Sequence, residues 1–266
     1  MSKVSVKLTS ESVKENARKS GADIVGIAPV QRFKEEAIGN KPADLLKGAK
    51  SVISVGIRQL RSYMEKAPNT MYFMYGYRQK NDYINEICWN ITRLLDEAGY
   101  SALPVQPWEA GELILDTRPH MRGSFSHVKA AVAAGLGEIG LNGLFLSSEY
   151  GPRIHLGSVI TTAPLTPDPP FKGKLCDRKN CRECLKQCPA HAIKANGTLD
   201  DINCIIALDK LSTGYEDTVK QILDRQAKEG PLKRAASAIG YSDFTGIGFC
   251  VIPCINACPI GKKELR

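Results

Sequence analysis

Over the first hundred residues, helical spacing of apolar positions alternates with short continuous apolar runs. SVKLTSESVKENARKSG reads as a helix capped by Ser10, with Val13 and Ala17 facing inward and Lys14 and Glu15 exposed. ADIVGIAPV follows as a short apolar strand. ADLLKGAKSVISVGI gives a helical turn and a second buried strand over 51–57. In DYINEICWNITRLLDEAGY, Ile84, Ile87, Cys88, Ile91, Leu94 and Leu95 recur at helical spacing, which predicts a helix over 83–99 ended by Gly99. Cys88 lies on that stripe, as a buried apolar residue rather than a ligand. SALPVQ is a third strand. The alternation of strands and helices implies an α/β domain.

From Phe125 the pattern changes. SHVKAAVAAG is an Ala-rich helix that ends in the glycine-dense GLGEIGLNG. LFLSSEYGPRIHLGSVITT then offers two strand-like runs, 144–146 and 154–161, around a turn at 149–153. APLTPDPP, residues 163–170, has four prolines in eight positions and reads as a linker or rigid boundary dividing 1–165 from 166–266. Within the second part, 208–240 reads as a helical insertion.

Eight of the nine cysteines fall into two groups: Cys176, Cys181, Cys184 and Cys188, followed by Pro189, and Cys204, Cys250, Cys254 and Cys258, followed by Pro259. Two Cys-Pro endings suit two-cluster ferredoxins, in which the last Cys of a run serves the other cluster. Disulfides would need an oxidising compartment. The chain begins MSKVSVKLTS, without a signal peptide or twin-Arg run, and no apolar stretch approaches the roughly 20 residues of a membrane span, so a cytoplasmic location is expected. Zinc is the rival reading, because Cys181 and Cys184 form a CxxC pair; it would want two such pairs and leaves the Cys-Pro endings unexplained. Four residues separate Cys176 from Cys181 where the ideal run has two, and three separate Cys250 from Cys254.

Length, at 266 residues, suits one large domain or two modest ones, and 43% hydrophobic content supplies a core. The net charge of +8 raises nucleic acid as a partner. Two oxidised clusters with their thiolates, at about −2 each, would bring it to about +4. The basic residues are also scattered. A mildly basic second half suits an acidic, low-potential electron donor.

Gly135, Gly137 and Gly140 spell GxGxxG. A dinucleotide fingerprint must follow a strand and open a helix, with an acidic residue about 20 positions on. Here a helix precedes it and no such acid follows. Two readings stay open: a helix C-cap with a tight turn, or bare backbone lying against a large flat cofactor.

AAVAAGLGEIGLNGLFLSSEYGPRIHLGSVITTAPL, the four-Cys group, Cys204 and CxxxCxxxCP, together with ADIVGIAPV and GAKSVISVGI, resemble the epoxyqueuosine reductase and reductive dehalogenase superfamily over nearly the whole chain. The resemblance implies a nitroreductase-like α/β domain holding base-off cobalamin and a ferredoxin-like domain with two 4Fe–4S clusters. By it, Cys176, Cys181, Cys184 and Cys258 hold the first cluster, and Cys188, Cys204, Cys250 and Cys254 the second, nearer the corrin. The corrin would lie against Gly135, Gly137, Gly140, Asn142, Gly143, Tyr150, Gly151, Arg153, His155, Gly157 and Ser158. It implies an oxygen-sensitive oxidoreductase, fed by a ferredoxin or flavodoxin, that reductively cleaves a small substrate. A corrinoid reductase or handling protein and a corrin-free two-cluster electron carrier are the alternatives.

Departures from the family's pattern qualify this. The proton-donating Asp of the epoxyqueuosine reductases, in D-x-x-P-V-x-E-K, falls at Met121. The sequence ends eight residues after Cys258, where those enzymes continue into a tRNA-gripping tail, so tRNA is not the expected substrate. The export signal of respiratory dehalogenases is absent, and their proton-donating Tyr has no secure counterpart; Tyr72, Tyr75 and Tyr77 are the aromatic candidates, or pack at a domain edge. His127, close to the missing acid, is a candidate proton donor or a polar helix residue. His155 is a candidate cobalt ligand or a hydrogen-bonded strand residue. His120 and His191 have no supporting context.

Overall fold

The computed structural model describes residues 8–35, 41–66, 78–106, 112–114, 120–122, 125–200, 203–204 and 252–262. In chain order the elements are α1 (Ser10–Lys19), β1 (Ile24–Pro29), α2 (Pro42–Leu45), β2 (Ser51–Arg58), α3 (Arg61–Lys66) and α4 (Arg78–Glu97). Then come β3 (Ala102–Val105), β4 (Glu112–Ile114), β5 (His120–Arg122), α5 (His127–Ala133), β6 (Gly137–Ile139), β7 (Phe145–Ser147) and β8 (Ile154–Thr161). The cysteine-rich region adds α6 (Glu183–Lys186) and α7 (Ile252–Ala257).

One four-stranded sheet, in the order β1-β2-β8-β3, organises the first part. Its neighbours are all antiparallel, so the mixed α/β fold is built without parallel pairs. The register sets Ile27 opposite Ile53, and Ile53 opposite Val159. Successive strand residues face opposite sides. Val25, Ile27, Ile53, Val55, Ile57 and Val159 therefore meet the stripes of α1 and α4, among them Val13, Ala17, Ile84, Ile87, Cys88, Ile91 and Leu95. Ala28, Val52 and Ile160 meet Phe33, Phe125, Ala130 and Ala134 on the other face. Both faces are covered, which is why β2 reads as one continuous apolar run. Cys88 is buried as expected, and burial pushes its thiol up to about 12, so it is inert.

Local details depart from the sequence expectations. Thr9, not Ser10, caps α1: its hydroxyl accepts from Ser12 N while the Ser12 hydroxyl accepts from Thr9 N. Ser10 Oγ instead accepts from Thr166 N. α4 starts at Arg78, earlier than its apolar stripe, and Gly99 follows its end at φ +84°.

The proline-rich 163–170 segment is no loose linker. Ala163 and Leu165 are buried, and Leu165 N donates to Ser51 Oγ. Asp168 accepts from Ile27 N and pairs with Lys14. GLGEIGLNG is not a loop either. Gly135, at φ +74°, follows α5, so the C-cap reading holds there. Residues 137–139 then enter the β6–β7 hairpin.

Candidate metal centre

The cysteine-rich region stands on that hairpin and on the turn before β8. Cys184 lies in α6 and Cys254 in α7, and the two short helices pack together. Cys176, Cys181, Cys184 and Cys258 line one cavity of about 170 Å³, floored by Gly140, Leu141 and Asn142. Leu141 N points at Cys176 Sγ at 3.4 Å. Beside it, Cys188, Cys204 and Cys254 pack with Leu141, Ala192 and Ile193, and Ala192 N donates to Cys188 Sγ at 3.3 Å. Cys250 lies outside the described residues. None of the described cysteines is in a disulfide.

The electrostatics follow this division. Burial, then the neighbouring Cys176 and Cys258, push the Cys184 thiol up to about 11. Cys254 is raised by burial and by Cys204, Cys184 and Cys188. Cys258 is raised by burial, opposed by the backbone at Ile260 and by Arg153. Thiols crowded so that each discourages its neighbour from ionising make a site that a cation would stabilise, because metal ligation removes those protons. Soft thiolate donors around one cavity, with an amide aimed at a sulfur, fit an iron–sulfur cluster.

Most residues expected to line a corrin do something else. A Cβ on Gly135 would stand 2.0 Å from Pro169 O, and one on Gly137 1.9 Å from Leu146 O. One on Gly151 would stand 2.1 Å from Ile260 O, and one on Gly157 2.9 Å from Cys88 Sγ. These glycines admit protein backbone and the flank of α4. Gly140 and Asn142 line the four-cysteine cavity. Gly143 is exposed and Tyr150 half-buried. Arg153 is 1% exposed and turned into the α7 region. His155 and Gly157 lie on the α4 face of β8 and Ser158 on the α5 face, so one flat ring cannot touch all three.

His127 Nε2 lies 2.9 Å from Gln106 O, and its Nδ1 lies 2.9 Å from Ser158 Oγ. A carbonyl only accepts, so Nε2 carries the proton and spends it on that bond. His155 Nε2 lies 2.7 Å from Asn81 Oδ1, and burial, with the Lys80 and His127 charges, pushes its imidazole down to about 3. It is a neutral hydrogen-bonded strand residue. Met121 pairs with Leu113 in the β4–β5 hairpin, which the sequence did not suggest. His120 begins β5, and His191 is exposed at φ +48°. Tyr72, Tyr75 and Tyr77 lie outside the described residues. Sequence reasoning missed Glu138, whose Oε1 accepts from Leu175 N at 2.9 Å and Cys176 N at 2.6 Å. The available signal was a lone acid within an apolar, glycine-framed hairpin.

Among the described residues no helix is long and apolar enough to cross a membrane. No family model matches the chain. It is 28% identical over 175 residues to an epoxyqueuosine reductase of Lactococcus garvieae, covering 62% of this chain and 44% of that one. It is 28% identical over 221 residues to a tetrachloroethene reductive dehalogenase of Sulfurospirillum multivorans, covering 68% and 40%. The chain thus spans less than half the length of these curated relatives. Among solved structures, an epoxyqueuosine reductase with an epoxyqueuosine-modified tRNA stem loop matches at TM-score 0.57 and 21% identity, covering 95% of this chain and 65% of that one. A catabolic reductive dehalogenase in complex with 3-bromo-4-hydroxybenzoic acid matches at TM-score 0.57 and 20% identity, covering 92% and 37%. In sequence and in fold, the chain is a relative of the epoxyqueuosine reductases and the reductive dehalogenases.

Proposed function

We propose that the chain is a two-cluster iron–sulfur reductase. Cys176, Cys181, Cys184 and Cys258 hold one 4Fe–4S cluster, and Cys188, Cys204, Cys250 and Cys254 hold a second. The observation that carries this is the single cavity lined by three cysteines of one sequence group and the last cysteine of the other. Cys184 borders both sets, so the two clusters would stand close enough for single electrons to pass between them. An acidic, low-potential donor of ferredoxin or flavodoxin type supplies those electrons, in a compartment reducing enough to keep the thiols out of disulfides.

The electron acceptor in this reading is a base-off corrinoid, taken from the relatives alone. When bound, such a cofactor supplies a strongly reducing, nucleophilic cobalt able to cleave a carbon–heteroatom bond. No residue of this chain is assigned to it. The filled glycine positions favour a second reading, an electron carrier without a corrinoid.

Anaerobic reconstitution with iron, sulfide and hydroxocobalamin tests both. About eight iron and eight sulfide per chain are expected; four iron, or one zinc, overturns the two-cluster assignment. Retained cobalamin that is reduced when the clusters are reduced supports the corrinoid reductase. Clusters without retained cobalamin select the carrier. Turnover assays should include epoxyqueuosine in a tRNA stem loop beside small halogenated substrates.

A further inference from the structure

The acid of the glycine-rich hairpin and the arginine before β8 each grip the backbone of a segment that lines the four-cysteine cavity, Leu175–Cys176 in one case and Cys258–Ile260 in the other. Glu138 takes the amides of Leu175 and Cys176 on one carboxylate oxygen, which fixes the backbone leading into the first thiol. Arg153 Nη1 donates to Ile260 O at 2.7 Å; its Nη2 donates to Cys258 O at 2.6 Å and Ile255 O at 2.9 Å, with Asn256 O at 3.5 Å. Its fork therefore holds the backbone on both sides of the last thiol. The approach depends on glycine: a Cβ on Gly151 would meet Ile260 O, and one on Gly261 would stand 2.1 Å from Tyr150 C.

Arg153 is also a buried cation whose partners are neutral carbonyls. Among the described residues no carboxylate pairs with it. An uncompensated buried charge is costly, whereas an iron–sulfur cluster with four thiolates brings a net negative charge to this cavity.

We infer that Glu138 and Arg153 are paired positioning residues, seating Cys176 and Cys258 and setting the reduction potential of the cluster between them with opposite signs. This rests on the two-cluster reading. Reduction adds an electron. The nearby cation favours the reduced cluster and raises its potential, while the nearby carboxylate favours the oxidised cluster and lowers it. Cluster seating thus gives the GLGEIG and YGPR segments a role through Glu138 and Arg153.

The test compares wild type with Glu138→Gln, Arg153→Lys and Arg153→Met, each reconstituted anaerobically. Iron and sulfide are counted first, and the reduced-cluster EPR signal is then followed through a redox titration. Its cluster of origin is assigned by its loss in Cys181→Ala. At a fixed ambient potential, Arg153→Met should lower the reduced-to-oxidised ratio on the order of tenfold, about 59 mV for a one-electron couple. Glu138→Gln should raise it. Arg153→Lys keeps the charge but loses the fork, so its potential stays near wild type while a chelator strips its iron faster. If Arg153→Met fails to fold, Glu138→Gln and Arg153→Lys decide. Iron-loaded Arg153→Met and Glu138→Gln proteins with unchanged potentials, or with potentials shifted in the same direction, overturn the inference and leave the two-cluster reading standing. Wild type that takes up no cluster defeats both.

Discussion

Gly157 separates a cofactor contact from a packing contact. In β8 it faces α4, and an added methyl would stand 2.9 Å from both Cys88 Sγ and Ile84 Cγ1. Both neighbours are fully buried, so neither can swing into solvent. Overpacking of this kind costs about 1–3 kcal/mol. Replacing glycine in extended backbone returns about 0.4–1 kcal/mol by restricting the unfolded chain. Gly157→Ala should therefore destabilise the protein by about 1–2 kcal/mol on the difference of those terms. Cys88→Ala alone removes one buried sulfur and costs about 1 kcal/mol. Together the two changes exchange a sulfur for a methyl in nearly the same space. The double variant should be more stable than the sum of the singles by about 1 kcal/mol, the coupling expected of residues in contact. Rescue is partial because Ile84 stays crowded. The assay is urea unfolding followed by circular dichroism on all four proteins, with iron content checked in each. A Gly157→Ala protein as stable as wild type, or strictly additive effects, would refute the argument that this glycine exists to admit α4.

The remaining predictions concern pH, cluster loading and the inert thiol. The His155 imidazole is held down to about 3 in the folded protein against about 6.5 when unfolded, so the unfolded chain binds the extra proton between those values. Its stabilisation is complete above about pH 6.5 and falls with acidification, by up to about 2 kcal/mol at pH 5; urea midpoints of wild type and His155→Asn should converge in that range, and parallel pH profiles would contradict it. Cys204→Ala should drop iron from about eight to about four per chain while the cavity at Cys258 stays loaded; full loading would remove Cys204 from the ligand set. Cys88→Ala should keep about eight iron, and any loss beyond that of a destabilised control would make this thiol more than a core residue.

Elements with a strong period were legible in the sequence: the stripe from Ile84 to Leu95, the runs through Val52–Ile57 and Ile154–Thr161, and Val13 with Ala17. Their order in the sheet was not, since β8 inserts between β2 and β3 through contacts far apart in the chain. The β4–β5 hairpin escaped notice because three-residue strands carry no measurable period. Thr9 and Ser10 are chemically alike as caps, and only the backbone tells which one precedes the first turn. The cysteine groups were visible from spacing, and the Cys-Pro endings with the family resemblance put Cys258 with Cys176, Cys181 and Cys184, which line one cavity. The glycines were legible as close approaches only: a missing side chain reports that something lies close, not whether that is a ring or another stretch of backbone. Arg153 was noticed, yet its acceptors lie about a hundred positions downstream, beyond any local pattern.

The four-cysteine cavity has a consequence for how the molecule is made. Three of its thiols are synthesised by position 184, but the fourth arrives only with residue 258, carried on a segment held down by Arg153. A growing chain can fold its sheet, drawing on residues up to 161, well before the cavity has its last wall. During that interval three neighbouring thiols face solvent beside a finished scaffold, open to oxidation or to capture of an adventitious ion. On the two-cluster reading, iron and sulfide loading would therefore trail translation, and a product that stops before position 258 would lack both the fourth thiol and the carbonyls that hold Arg153.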